Sequence, residues 1–96
     1  MKFGLSCAQI ELICTTLNQA GVCKAVVFGS RAKGTWRNNS DIDLAVWGNK
    51  LNLGKLKDDL EELPMPYSFD VVQYTHITHA ALREHIDNVG VVMFGG

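Results

Sequence analysis

The stretch GSRAKGTWRNNSDIDLAV, from Gly29 to Val46, joins a cation-rich turn to a segment with two alternating aspartates. It follows KAVVF, residues 24–28, a β-branched and aromatic run that is typical of a buried strand. Asp41 and Asp43 alternate with apolar residues at the two-residue period of a second strand, so both carboxylates should lie on one face. If the turn lies beside these aspartates, the two strands are adjacent and antiparallel, with a short helix crossing the end.

Three longer helices are predicted outside this stretch. Ser6 begins a capping-box pattern before a first helix, which Gly21 ends with a left-handed residue. Leucines at helical spacing over residues 53–63 predict a second helix, ended by two prolines. Thr78 is expected to cap a last helix, closed by Gly90.

Two further strands complete the predicted elements. Residues 67–74 form an apolar run that contains Asp70, and the tail VVMF, residues 91–94, is expected to add a short strand. The fold class is therefore α/β (α+β), a small mixed sheet of three to four strands packed with helices. With 96 residues, 47% of them apolar, we expect one domain spanning residues 1–96.

The charge balance excludes some classes of ligand. The formal net charge is −1, so no global field draws the protein to nucleic acid or to an anionic membrane, and nucleic acid is not expected as a stand-alone ligand. The sequence contains neither a signal peptide pattern nor a run as long as a membrane span, which predicts a cytoplasmic protein without membrane contact.

Cysteines and histidines indicate no metal or disulfide framework. The three cysteines have no close paired spacing, and we expect them to pack as small hydrophobic residues in the core: Cys7, Cys14 and Cys23. The three histidines have no cysteine or acid that completes a zinc set, and surface roles are expected for all of them: His76, His79 and His85.

The turn suits phosphate. Gly29 and Ser30 follow a strand, so the backbone can turn sharply and direct N–H groups outward. The P-loop motif is excluded because Thr35 stands where it requires lysine. Nearby cations are equally consistent with solvation and with triphosphate contact: Arg31, Lys33 and Arg37. Trp36 is a loop anchor or a base-stacking residue.

The acids suit magnesium. Asp41 and Asp43 can hold one Mg²⁺ between them, and Asp70 from a neighbouring strand would allow a two-metal site. An isolated D-x-D is usually a strand edge that faces water, but the upstream turn and the acid in a later apolar run favour a site.

In this order, the elements resemble the minimal nucleotidyltransferases of the DNA polymerase β-like superfamily. The shared pattern is a GS turn, a short helix with a glycine, a D-x-D strand and a third acid on a later strand, and six residues match it: Gly29, Ser30, Gly34, Asp41, Asp43 and Asp70. The resemblance spans essentially the whole chain.

The resemblance implies transfer of a nucleoside monophosphate, with ATP or another NTP as donor, to an acceptor hydroxyl. Asp41 and Asp43 would bind both metals, Asp70 would bind the catalytic metal and favour acceptor deprotonation, and Ser30 would contact the outer phosphates. Stand-alone members resemble the antitoxins of HEPN–MNT modules, which implies protein adenylylation of a helical HEPN partner; a homodimer is the other association expected. The alternative is a non-catalytic nucleotide-binding module that neutralises a partner by contact.

Overall fold

The computed structural model describes residues 3–35 and 41–95. Trp36 and Arg37, whose roles the sequence left open, lie outside these residues. The helices and strands follow in this order: α1 Cys7–Gln19, β1 Val22–Phe28, α2 Ser30–Lys33, β2 Ile42–Gly48, α3 Leu53–Glu61, β3 Phe69–Gln73, a 3-10 turn at Tyr74–His76, α4 Ala80–Val89 and β4 Val91–Gly95.

The four strands form one mixed sheet in the order β3-β2-β1-β4. Strand β1 is antiparallel to both β2 and β4, whereas β2 and β3 are parallel. The predicted fold class is confirmed, and so is the antiparallel pairing of the two strands that flank the turn.

The two faces of the sheet bury different residues. On one face, Val27, Leu44 and Val46 are buried with apolar residues of α1 and α3. On the opposite face, α4 places Ile86 in a smaller cluster with residues from β1 and β2. Because successive strand residues alternate between faces, Asp43 of β2 belongs to the face that α4 covers.

The first helix begins and ends as predicted. The Ser6 hydroxyl accepts from the Gln9 backbone N–H at 3.1 Å, and the Ser6 N–H donates to Gln9 Oε1 at 3.0 Å, which completes the capping box. Gly21 follows the helix with a φ of 85°, a conformation that glycine adopts without steric cost. None of the helices within the described ranges combines the length and apolar character that a membrane span requires.

The start of α4 differs from the prediction by one residue. His79, not Thr78, is the N-cap, and its Nδ1 accepts from the Leu82 N–H at 3.3 Å. A capping side chain reaches the N–H three positions later, and the helix that starts at Ala80 leaves Thr78 one residue too early for this. Gly90 closes the helix as predicted, but with an extended backbone rather than a left-handed one.

The prediction that all three cysteines pack in the core is wrong. Cys7 and Cys23 are exposed, and Cys14 is half-buried. Cys14 directly follows the buried Ile13 and so lies about 100° around the helix from it, at the edge of the buried stripe. Cys23 occupies an irregularity in the β1–β2 pairing, where its Sγ contacts the Trp47 carbonyl oxygen at 3.3 Å.

We expect Ser6→Ala to lower the free energy of unfolding by about 1 kcal/mol, because the Gln9 backbone N–H loses the hydroxyl that caps it. Thr16→Ala is the matched control on the same helix. Its hydroxyl only donates back to the Leu12 carbonyl, so its loss should change stability by less than about 0.5 kcal/mol. Chemical denaturation of both variants measures the difference, and equal effects would contradict a capping role.

Candidate active site

The predicted acids meet at one end of the sheet, on the face covered by α4. Asp43 of β2 pairs with Phe28 of β1 on one side and with Asp70 of β3 on the other. Neighbouring strands lie roughly 4.8 Å apart, so these three residues form a row across the sheet. Asp41 lies directly before β2, two residues from Asp43, and its negative charge acts on the Asp43 carboxyl. The predicted position of Asp70 on the adjacent strand is confirmed.

Asp43 is the electrostatic centre of this group. It is half-buried, whereas Asp41 and Asp70 are exposed. Burial raises the pKa of the Asp43 carboxyl, and the negative charges of Asp70 and Asp41 raise it further, while His85 and Arg31 act in the opposite direction. The site therefore concentrates negative charge that a bound cation would stabilise.

Gly29 brings the turn against the Asp43 carboxylate. Its φ of 72° and ψ of −152° lie in a region that essentially only glycine occupies. A Cβ at this position would overlap Oδ2 of Asp43, so the absence of a side chain allows the close approach. The turn and the second strand are thus in direct proximity, as the sequence predicted.

Ser30 begins the single-turn helix α2, which places it directly after Gly29. The Lys33 N–H donates to the Gly29 carbonyl at 3.2 Å, and Gly34 ends the helix with a φ of 78°. The first N–H groups of a helix have no hydrogen-bond partner within the helix. In α2, these groups come directly after the Gly29 turn that lies against Asp43. Ser30 is half-exposed and Lys33 is exposed, so both are accessible to a ligand.

Arg31 is buried, whereas the sequence left open either a solvated cation or a triphosphate contact. It is 2% exposed, its Nη1 donates to the Phe3 carbonyl oxygen at 2.8 Å, and its guanidinium stacks on the Tyr67 ring at 4.4 Å. It is neither a solvated cation nor a freely projecting phosphate contact. Because α2 is anchored through Arg31 to the segments before α1 and β3, this residue positions the turn. A helix of one turn carries no readable period, so the sequence could not show which way Arg31 points.

His85 is a neighbour of the site that sequence reasoning missed. Its ring lies edge-to-face with that of Phe28, with centroids 6.0 Å apart and an interplanar angle of 82°. The sequence held a signal, since His85 is three residues after Leu82 and four before Val89, on the sheet-facing stripe of α4. The surface role expected for His85 is therefore wrong, and His79 serves as the cap of α4.

The carboxylates fit an open magnesium site rather than a closed cage. Within residues 3–35 and 41–95, no three His, Cys, Asp or Glu side chains converge as a preformed metal centre. Magnesium usually takes only one or two protein carboxylates and completes its shell with phosphate oxygens and water. The mutual repulsion around Asp43 agrees with this chemistry, because a cation would offset it.

A separate cavity lies away from the acids. It has a volume of about 280 Å³ and is lined by residues at the end of α1 and around the start of α3, including Lys50, Lys55 and Asp59. Lys55 is paired with Asp59 at 2.9 Å, so this cavity does not present a free cation pair to a phosphate. The acid row is the better candidate for chemistry.

The sequence matches the family described as polymerase beta, nucleotidyltransferase, over residues 11–95. The chain belongs to this family. No curated protein matches the sequence.

Solved structures share the nucleotidyltransferase fold. A toxin–antitoxin crystal structure with AMP-PNP has a TM-score of 0.77 at 24% identity, covering 91% of this chain and 73% of that one. A toxin–antitoxin structure of MntA–HepT has a TM-score of 0.71 at 20% identity, covering 95% of this chain and 74% of that one. A presumed minimal nucleotidyltransferase gives 0.74 at 28% identity and covers 95% of both chains. The predicted superfamily is confirmed, while the metal and phosphate roles of individual residues stay predictions.

Gly29→Ala should destabilise the protein more than Gly21→Ala does. Both glycines have positive φ, but at Gly21 the nearest atom to an added Cβ is Leu51 Cδ2, at an ordinary 4.0 Å. Gly21→Ala should therefore cost roughly 1 to 2 kcal/mol for the backbone alone, whereas Gly29→Ala must also displace the Asp43 carboxylate.

A double-mutant cycle isolates that contact. In an Asp43→Ala background the displaced oxygens are absent, so the excess cost of Gly29→Ala should fall. Thermal or chemical unfolding of the four proteins measures the coupling. Strictly additive losses would show that the carboxylate does not lie against the turn.

We expect Asp43→Asn to stabilise the metal-free protein at neutral pH. The native pKa of Asp43 is raised above its ordinary value of 3.8, so between these two values the folded state binds more protons than the unfolded state. The parent therefore loses stability as pH rises through this window, and the advantage of Asp43→Asn disappears as pH falls through it.

Unfolding measured across this pH range tests the sign. Asp58→Asn, at an exposed position of α3, removes an aspartate outside the cluster and should leave stability nearly unchanged. An Asp43→Asn variant less stable than the parent at neutral pH, without metal, would contradict the electrostatic account.

Proposed function

We propose that the protein is a metal-dependent nucleotidyltransferase that moves AMP from ATP onto an acceptor hydroxyl of a protein partner. The observation that carries the proposal is the convergence of Gly29, Asp43 and Asp70 at one end of the sheet, in a chain of this family. A glycine held against a carboxylate beside a further acid is an arrangement that stability alone does not require.

The strand order suggests how substrates divide across the site. Asp43 lies in the middle, with the Gly29–Ser30 turn on the β1 side and Asp70 on the β3 side. In this proposal the outer phosphates lie by Ser30, Lys33 and the N–H groups of the turn, and the acceptor approaches by Asp70. Donor and acceptor then meet above Asp43.

The reaction exchanges one phosphorus–oxygen bond for another. The acceptor oxygen forms a bond to the α-phosphorus, and the bond from that phosphorus to the bridging oxygen of the outer phosphates breaks. Pyrophosphate carries away the bonding electron pair, and Asp70 accepts the proton of the acceptor hydroxyl. Most of the catalysis is positioning and charge stabilisation.

Asp41, Asp43 and Asp70 are the residues proposed to hold magnesium in a two-metal site. When bound, magnesium would neutralise charge on the triphosphate and favour ionisation of the acceptor. Asp43, with Asp41 and Asp70 as like-charged neighbours, has the strongest electrostatic reason to bind a cation. Arg31 contributes from below by fixing the turn rather than by touching substrate.

The proposed acceptor is a helical HEPN-type partner, in a toxin–antitoxin pair within the cytoplasm. Support comes from fold neighbours whose structures are toxin–antitoxin complexes, one with AMP-PNP. We also propose that residues 1–96 act as a single domain, for which a partner provides the acceptor hydroxyl. Exposed Val91 and Val92 on β4, at one edge of the sheet, offer apolar surface for association with a partner or a second copy.

Labelled ATP tests the reaction. With Mg²⁺ and the candidate helical partner, we expect the nucleotide label to appear on a hydroxyl of the partner. Asp41→Asn or Asp43→Asn should reduce labelling by at least about 100-fold, because each removes a charge partner of the metal without emptying the site. Asp58→Asn is the matched control and should label as the parent does.

Partner binding separates catalysis from contact. The Asp43→Asn variant should retain its fold and its complex with the partner, as measured by circular dichroism and light scattering. If the aspartate variants neutralise the partner as well as the parent, and no label transfers with any divalent metal, the protein is a non-catalytic binding module instead.

A further inference from the structure

His85 lies beside the acid row without belonging to the family pattern of turn and acids. His85 lies on α4, and the residue after it, Ile86, is buried against the sheet together with Phe28. His85 itself is half-buried, so its ring is held at the sheet without being sealed from ligands. A histidine on the sheet-facing stripe of a helix usually fills core space, and two further observations point to a ligand-binding role.

The first observation is the side of the site on which His85 lies. Its ring contacts Phe28, the residue directly before Gly29 and the partner of Asp43 in the β1–β2 pairing. His85 is thus on the β1 side, with the turn, and the Asp70 strand is on the other side of Asp43. This is the side that the proposed function gives to the outer phosphates.

The second observation concerns positive charge near Asp43. Two described side chains that can carry positive charge act on its carboxylate, His85 and Arg31. Arg31 is buried, and its guanidinium contacts the Phe3 carbonyl oxygen and the Tyr67 ring beneath the turn. His85 approaches from the α4 face instead, the face on which the acids lie.

We propose that His85 donates a ring N–H to an outer phosphate oxygen of the bound nucleotide, and to the pyrophosphate that leaves. This inference rests on the proposed nucleotide-binding function. The contact with Phe28 holds the ring beside the turn, so the donor is in place before the ligand arrives. Imidazole suits this role because it can donate to phosphate in either protonation state, and more strongly when charged.

Binding measurements test the role with three probes: AMP-PNP, inorganic pyrophosphate and AMP, each with Mg²⁺. We expect His85→Phe, which keeps an aromatic ring against Phe28 but has no N–H donor, to weaken AMP-PNP and pyrophosphate binding by about tenfold, the usual effect of losing one hydrogen bond to a charged group. AMP lacks the outer phosphates and should bind as it does to the parent. His76→Phe is the matched control, since His76 is exposed in the 3-10 turn after β3.

The outcomes distinguish this inference from the proposed function. If the parent binds AMP-PNP and His85→Phe binds it equally well, the role of His85 is wrong and the function stands. An equal loss for all three probes would also overturn it, because a packing defect does not discriminate between phosphates. If the parent binds neither AMP-PNP nor pyrophosphate with any divalent metal, both proposals fail.

Magnetic resonance of the parent gives a readout that needs no variant. Adding pyrophosphate and Mg²⁺ should shift the ring signals of His85 by more than those of His76 and His79, which lie outside the acid row. This answers the question even if His85→Phe loses stability through the altered Phe28 contact. Ring signals of His85 that stay unchanged at saturating pyrophosphate would refute the contact.

Discussion

The close approach of Gly29 to the Asp43 carboxylate is the constraint on which the site depends. It requires a backbone conformation that other residues reach only with strain, and it leaves no room for a side chain. The register of β1 and β2 enforces the approach, because Phe28 pairs with Asp43 and Gly29 comes next along the chain. The turn is therefore positioned by the sheet itself.

The mixed sheet turns this local contact into a site with two sides. Because β1 and β2 are antiparallel, β2 begins at the end of the sheet where the turn after β1 lies. Because β2 and β3 are parallel, Asp70 of β3 lies beside Asp43 on the other side. One face of the sheet is fully used as core against α1 and α3. The other is covered by α4 over a smaller cluster, which accommodates polar residues at the end of the strands.

The sequence predicted the features that depend on local pattern. The capping box at Ser6, the strand containing Asp43 and the acid on the next strand each follow from spacing over a few residues. The orientation of Arg31 could not be predicted, because a four-residue helix has no period and its guanidinium contacts residues far along the chain. To predict the position of His85, one would need to know which face of α4 packs on the sheet and which end of the sheet that face covers.

Negative charge around Asp43 links ligand binding to stability. Partial burial and like-charged neighbours disfavour its ionised form, and His85 and Arg31 offset only part of this. A ligand that brings a cation removes the repulsion in the folded state alone, since the unfolded chain separates the three acids. Its binding free energy therefore adds to the stability of the fold. In the proposed function, the carboxylates that repel one another without a cation are therefore the same ones that would bind it.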